Sequence, residues 1–267
     1  MPAFEAREGM PYWIDLLTSE TRKSAYFYSR ILGWDVEEGD YRIARLQGMP
    51  VAGMVPQADS GDGDGAAMPD AWVTYFLSTD IARDAARVAE LGGRVLAEPQ
   101  RVSLGTMALC ADSAGGWFGL YEPEGEDSFV AAGEPGTPVW HEYTCTGDVD
   151  KLAAFYGDLF NWDIVENDGY LLAMQDGAAF AGIWDAREQI PADVPSFWRS
   201  YLGVANIAQT RSRIEEFGGE VLRGPENSPF GLLLTAVDST GAVVTLCEVD
   251  EPVDEETLDE GDSILHL

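Results

Sequence analysis

The chain repeats itself, and that repeat limits its possible folds more than any other feature. Pro11-Tyr12-Trp13-Ile14-Asp15 returns as Pro138-Val139-Trp140-His141-Glu142, displaced by 127 residues. Phe27-Tyr28 returns as Phe155-Tyr156, and Gly33-Trp34-Asp35 as Asn161-Trp162-Asp163, both displaced by 128. Three further landmarks recur at 126: Trp72-Val73-Thr74-Tyr75 as Trp198-Arg199-Ser200-Tyr201, Leu91-Gly92-Gly93 as Phe217-Gly218-Gly219, and Asp112-Ser113-Ala114-Gly115 as Asp238-Ser239-Thr240-Gly241. Six landmarks in one order, drifting by two residues, mark two copies of one domain. We expect a first domain over 10–123, a Gly-, Pro- and acid-rich linker over 124–136, a second domain over 137–250 and an acidic tail over 251–267.

Each copy divides again. The first half reads as a strand over 12–18, a helix over 20–32 with an apolar stripe of Ala25, Phe27, Tyr28, Ile31 and Leu32, and short strands near 34–38, 41–47 and 50–55. Gly33 is placed to stop that helix. The second half repeats the order, with a strand over 72–78, a helix over 80–91 opened by Asp80 and closed by Gly92-Gly93, and strands near 94–98, 106–111 and 116–121. The fold class is therefore α+β, built from four βαβββ modules paired into two domains with curved sheets.

Composition excludes several partners. With 47 acidic against 16 basic residues the formal charge is −31, a field that repels nucleic-acid backbones and anionic membranes. No apolar run is long enough to span a bilayer, and the N-terminus carries no basic-then-apolar leader, so a cytoplasmic location is expected. Cys110, Cys145 and Cys247 share no motif spacing and read as buried thiols. The acidic GDGDG stretch over 61–65 would repel phosphate, and no P-loop, dinucleotide fingerprint or Ser-His-Asp set is present.

The endings AYFYSRILGW (25–34) and AAFYGDLFNW (153–162), the LGG and FGG turns, and DSAG and DSTG before each last strand resemble the vicinal oxygen chelate superfamily. That group contains glyoxalase I, extradiol dioxygenases and bleomycin-resistance proteins. The Trp-bearing strands further resemble tandem actinobacterial glyoxalase-like proteins labelled as hydroxylases or antigen homologues. The resemblance implies a cleft in each curved sheet. In the metal enzymes of the group, that cleft holds a divalent ion on His, Gln and Glu side chains, acting as a Lewis acid.

Mapped through the resemblance, the ligand slots are Trp13, Trp72 and Gly119 in the first domain and Trp140, Trp198 and Thr245 in the second. Counting back from Phe155 gives His141 in place of Trp140, but the local P-x-W landmark favours Trp140. Indole cannot ligate a metal, and His141 and His266 are the only histidines, so no metal and no other cofactor are expected. Alternation along strands then assigns the cleft faces. They comprise Trp13, Asp15, Leu17, Trp72, Thr74, Phe76, Trp117, Gly119 and Tyr121 in domain one, and Trp140, Glu142, Thr144, Trp198, Ser200, Leu202, Val243 and Thr245 in domain two. Tyr75 and Tyr201 fall on the opposite face, His141 is read as an interior histidine, and Glu122 and Glu248 as solvent-facing. Gly119 is read as room for a bulky ligand.

Asp15 and Glu142 are the candidate catalytic groups, because a carboxylate among indoles needs a partner or a raised pKa. Three readings stand. One is a metal-independent protein that binds a small apolar or aromatic molecule in the clefts, by sequestration or carboxylate-assisted chemistry. The second is a metal-dependent lyase or dioxygenase of the glyoxalase type. The third is a non-catalytic protein-interaction module whose clefts are plugged, with the acidic tail as its contact element. Since tandem fusion supplies a module pairing that some relatives reach by dimerising, a monomer or weak homodimer is expected.

Overall fold

The computed structural model describes residues 3–57, 69–102, 104–125, 129–191 and 193–251. The GDGDG stretch, His266 and all of the acidic tail beyond Glu251 lie outside them. A short strand β1 (Ala3–Glu5) precedes the first copy, which runs β2 (Pro11–Thr18), α1 (Thr21–Ile31), β3 (Asp35–Val36), β4 (Arg42–Leu46), β5 (Met49–Pro56), β6 (Ala71–Leu77), α2 (Ile81–Glu90), β7 (Arg94–Val102), β8 (Gly105–Ala111) and β9 (Trp117–Pro123). The stretch read as a linker contributes β10 (Phe129–Ala131), which pairs antiparallel with β1. The second copy runs β11 (Pro138–Cys145), α3 (Val149–Phe160), β12 (Asp163–Asn167), β13 (Tyr170–Gln175), β14 (Ala178–Asp185), β15 (Phe197–Val204), α4 (Ile207–Glu216), β16 (Glu220–Ser228), β17 (Gly231–Val237) and β18 (Val243–Glu248).

Each copy forms one eight-stranded mixed sheet, ordered β3-β4-β5-β2-β6-β9-β8-β7 and β12-β13-β14-β11-β15-β18-β17-β16. The module-opening strands β2 and β6 meet antiparallel at the centre, as do β11 and β15, and each runs parallel to its own module's last strand. Bulges at Pro11/Trp13 and Pro138/Trp140 bend these central strands at the same place in both copies. Trp13 and Trp140 thus occupy equivalent registers, opposite Tyr75 and Tyr201.

The helix-bearing faces of the two sheets share their interiors. Phe27, Tyr28 and Ile31 of α1 pack on Ile14, Leu16 and Met54 of their own module and on Leu202, Ile214, Leu234 and Val244 of the fourth. In the same way Val88 of α2 and Phe118 of β9 meet Phe155, Tyr156 and Phe160 of α3. Fully burying each such side chain contributes roughly 1.5–3 kcal/mol, so the cores formed between copies are a large part of what holds the chain folded.

Polar groups tie these cores across the copies. Trp72 Nε1 donates to Tyr28 OH at 3.0 Å, and Tyr28 OH donates to Asp238 Oδ2 at 3.0 Å. The mirror set runs Trp198 to Tyr156 at 2.7 Å and Tyr156 to Asp112 at 2.9 Å. The other carboxylate oxygen of Asp112 accepts the Ala114 and Gly116 amides, and that of Asp238 accepts the Thr240, Gly241 and Ala242 amides. The FY and DSxG landmarks therefore serve one device: a buried tyrosine of one copy anchored on the turn aspartate of the other.

Helix ends follow their sequence signals. Asp80, Asp148 and Asn206 accept the amides of Arg83, Lys151 and Gln209. Glu122 and Glu248, expected in solvent, instead turn back. Their carboxylates accept the free amides of Ile81 and Ile207 at 2.8 and 2.7 Å, at the positive ends of α2 and α4. No helix among the described residues is long and apolar enough to cross a membrane.

Candidate functional site

Residues paired across neighbouring strands share a face of the sheet. On β6, Tyr75 lies opposite Trp13 and Val73 opposite Asp15, whereas Trp72 lies opposite Leu16 and Thr74 opposite Ile14. Trp72, Thr74 and Phe76 therefore stand on the helix side, not in the cleft. The same parity places Trp198, Ser200 and Leu202 opposite Tyr143, His141 and Pro138, so they too leave the cleft. Thr74 Oγ1 and Ser200 Oγ bond each other at 3.0 Å between the copies, and Ser200 also meets His141 Nδ1 at 2.8 Å. Burial lowers the His141 pKa to about 3, so this imidazole stays neutral in the interior. Tyr75 and Tyr201, assigned to the other face from the sequence, are cleft residues. The error comes from matching Trp to Trp along the sequence, which ignores how antiparallel strands align.

Each concave face carries the same quartet. In domain one, Trp13 Nε1 donates to Asp15 Oδ1 at 2.8 Å and lies 2.9 Å from Tyr41 OH, which donates to the same oxygen at 2.9 Å. Tyr75 completes the set, its hydroxyl facing the same carboxyl. Tyr41 reaches the carboxyl because Gly53 lies beneath both; a Cβ there would collide with Asp15 Oδ1 and the Tyr41 hydroxyl. Asp15 is wholly buried, and burial raises its pKa to about 6 against the hydrogen bonds from Trp13 and Tyr41 and the facing Tyr75 hydroxyl. Its Oδ2 has no hydrogen-bond partner among the described residues.

Self-packing fills this first face. Trp13, Val73, Tyr75, Met107, Ile43 and Tyr121 form one cluster, with Trp13 7%, Tyr75 6% and Tyr121 1% exposed. Gly119 does not leave space for a ligand, since a Cβ there would strike the Tyr75 ring. Trp117, at the end of the same face, is half-buried.

Domain two repeats the quartet with one replacement. Trp140 Nε1 donates to Tyr170 OH at 3.2 Å, and Tyr170 OH donates to Glu142 Oε2 at 2.9 Å, over Gly182. Tyr201 faces Glu142 as Tyr75 faces Asp15. Opposite the acid, where domain one has Val73, stands Arg199. Its Nη2 lies 3.4 Å from Glu142 Oε1 and donates to Thr144 Oγ1 at 2.6 Å, and its guanidinium sits 5.4 Å over the Phe197 ring. Arg199 Nε is buried with no partner among the described residues.

This second face is less covered than the first. Trp140, Tyr170, Arg199 and Phe230 are all partly exposed, while Glu142, Tyr201 and Thr245 lie buried beneath them. Phe230, from the turn between β16 and β17, stacks on Trp140 with centroids 4.9 Å apart at 26°. Val243, at the rim, is 55% exposed. Of the residues read from the sequence, Trp13, Asp15, Trp117, Gly119, Tyr121, Trp140, Glu142 and Thr245 lie on concave faces. Tyr41, Tyr75, Tyr170, Tyr201, Arg199 and Phe230 were missed. A further landmark, Tyr41-Arg-Ile-Ala44 against Tyr170-Leu-Leu-Ala173 at a displacement of 129, carries the signal for two of them.

The profile of the Glyoxalase/Bleomycin resistance protein/Dioxygenase superfamily matches residues 12–120 and 141–246, and the chain belongs to that superfamily. Two relatives are similar along nearly their whole length. The putative glyoxylase CFP32 of Mycobacterium tuberculosis is 26% identical over 256 residues, covering 91% of this chain and 95% of the relative. The anthracycline biosynthesis protein DnrV of Streptomyces peucetius is 28% identical, covering 91% and 94%. Among solved structures, the Mn(II)-bound glyoxalase of Novosphingobium aromaticivorans superposes with a TM-score of 0.61 at 16% identity, over 94% of this chain and 85% of that one. The 2,3-dioxygenase LapB of Pseudomonas sp. KL28 gives 0.62 at 10% identity, over 95% and 96%. These structures share the fold.

The metal that such relatives suggest does not fit the donors of the described residues. No group of three His, Cys, Asp or Glu side chains gathers among the described residues. Each cleft offers one carboxylate ringed by an indole N–H and tyrosine O–H groups, whose positive ends point at the place a cation would take. In domain two, Arg199 adds a full positive charge beside Glu142. The three cysteines are buried thiols, and burial pushes Cys110 up to about 12.

Proposed function

We propose that this protein is a metal-independent superfamily member that binds a small apolar or aromatic molecule on the concave sheet of its second domain. Trp140 and Phe230 are its aromatic platform and Glu142 the polar group beneath. The observation that carries this reading is the contrast between the two faces: in one the indole of the quartet is buried among its own aromatics, in the other it is part-exposed in a stacked indole–phenyl pair. Apolar walls with a few convergent polar groups are the usual make-up of a small-ligand site. The likeness to a protein of anthracycline biosynthesis favours an aromatic ligand. Glu142 either anchors the ligand or moves a proton on it. The acidic surface repels nucleic acid and anionic membranes, and we propose a cytoplasmic monomer or weak homodimer.

Titration with neutral fused aromatics, read by tryptophan fluorescence, tests the reading. Saturable quenching lost in Trp140→Ala and retained in Trp13→Phe supports it. Quenching retained in Trp140→Ala, or stoichiometric Zn, Ni, Mn or Fe in the purified protein, overturns it. Glu142→Gln separates the two roles of the acid, since holding alone leaves no turnover to lose.

A further inference from the structure

Resting on that reading, we infer that the domain-two cleft selects a neutral planar heterocycle whose edge carries an N–H donor beside a carbonyl acceptor, as in a fused aromatic lactam. Val73 fills the position of domain one that matches Arg199, so the fold itself does not require a guanidinium there. It appears on the less covered face alone, directly opposite the acid.

Arg199 and Glu142 carry opposite charges, and a guest meeting both meets a site of zero net charge. An anionic guest would gain Arg199 while being pressed against Glu142, within a chain of formal charge −31. A cationic guest would meet the reverse conflict.

Hydrogen-bond capacity narrows the class further. Arg199 Nη2 is already used by Thr144, but Nε has no partner among the described residues, and a buried donor without an acceptor is a cost that a guest can remove. Glu142 Oε2 takes the Tyr170 hydroxyl and the Tyr201 hydroxyl also faces this carboxyl, while Oε1 stands 3.4 Å from Arg199 Nη2, too far for a good hydrogen bond. A carboxylate oxygen has room for a further donor. The unfilled capacity is thus one acceptor for the guanidinium and one donor for the carboxylate, side by side, on the face that carries the Trp140–Phe230 platform. A cis-lactam edge supplies that pair without net charge, and its flat ring system suits the platform.

Four probes of one shape test this by tryptophan quenching: phenanthridinone, N-methylphenanthridinone, phenanthrene and phenanthrenecarboxylate. Phenanthridinone is expected to bind at least tenfold tighter than either its N-methyl form or the carboxylate. Arg199→Met should remove most of that preference while leaving phenanthrene binding within about twofold. Arg199→Lys, which keeps the charge and loses the Nε–H, should fall between. Far-ultraviolet circular dichroism and urea unfolding establish that each variant is folded. A carboxylate probe that binds tightest and is lost in Arg199→Met overturns the inference in favour of an anion site. So does equal binding of all four probes, or a preference unmoved by both variants, and each of these leaves the aromatic-site reading standing. Absence of quenching by every probe removes the underlying reading and the inference together.

Discussion

Asp15 ties the sealed face to a measurable pH dependence. Its carboxyl is wholly buried, and its pKa rises from 3.8 to about 6, chiefly through burial. The folded state therefore holds the proton more tightly than the unfolded chain, and the stabilisation is complete below 3.8 and lost as pH rises through 6. At about 1.36 kcal/mol for each tenfold of proton affinity, the full effect is ~3 kcal/mol. Roughly 1.4 kcal/mol of it falls between pH 5 and pH 8, a range above the sequence isoelectric point of about 4.1. Asp15→Asn keeps an acceptor oxygen for Trp13 and Tyr41 and cannot ionise. Urea unfolding of both proteins from pH 5 to 8 should show the variant gaining about 1.4 kcal/mol on the parent as pH rises, the other carboxylates cancelling in the difference. A difference that stays flat within about 0.3 kcal/mol would mean that Asp15 ionises at its ordinary value, and the account of the first concave face as closed would fail.

Three further outcomes are expected. Gly119→Ala places a methyl group against the Tyr75 ring and should cost ~1–3 kcal/mol in urea unfolding. A neutral result would show that Tyr75 moves aside freely. Trp72→Phe removes the N–H that supports Tyr28 from within its own copy, behind the Tyr28–Asp238 bond between the copies, and should cost about 1 kcal/mol while leaving ligand quenching in domain two intact. His141, held at about 3 by burial, should show imidazole proton shifts in NMR that do not move between pH 5 and 8; a midpoint near the ordinary value of 6.5 would place the ring in water.

Much of the architecture was legible because its landmarks are structural. Phe27-Tyr28, Trp72 and the turn aspartates recur because the copies bind each other through them, and Asp80 and Asn206 announce helix starts by capping them. The cleft was harder to read for the same reason. The conspicuous tryptophans of β6 and β15 belong to the contact between copies, while the cleft is lined by the less conspicuous Tyr75, Tyr201 and Arg199. Alternation fixes faces within a strand, but which face a neighbouring strand shares depends on a pairing register reset by the bulges at Pro11/Trp13 and Pro138/Trp140. Tyr41, just before β4, and Tyr170 of β13 reach the acids from two places away in the sheet, over Gly53 and Gly182, a route that strand alternation does not show although the repeat marks both tyrosines.

Since α1 beds into the fourth module and α2 meets α3, neither half finishes its own interior. A fragment ending after β9 would bare to solvent the sides of Phe27 and Ile31 that the fourth module now covers, and would seek a second body to cover them, most simply a duplicate of itself. Cutting the backbone between the halves, by contrast, should leave two pieces still clasped together, because the contact that unites them lies in their interiors rather than in the peptide that joins them.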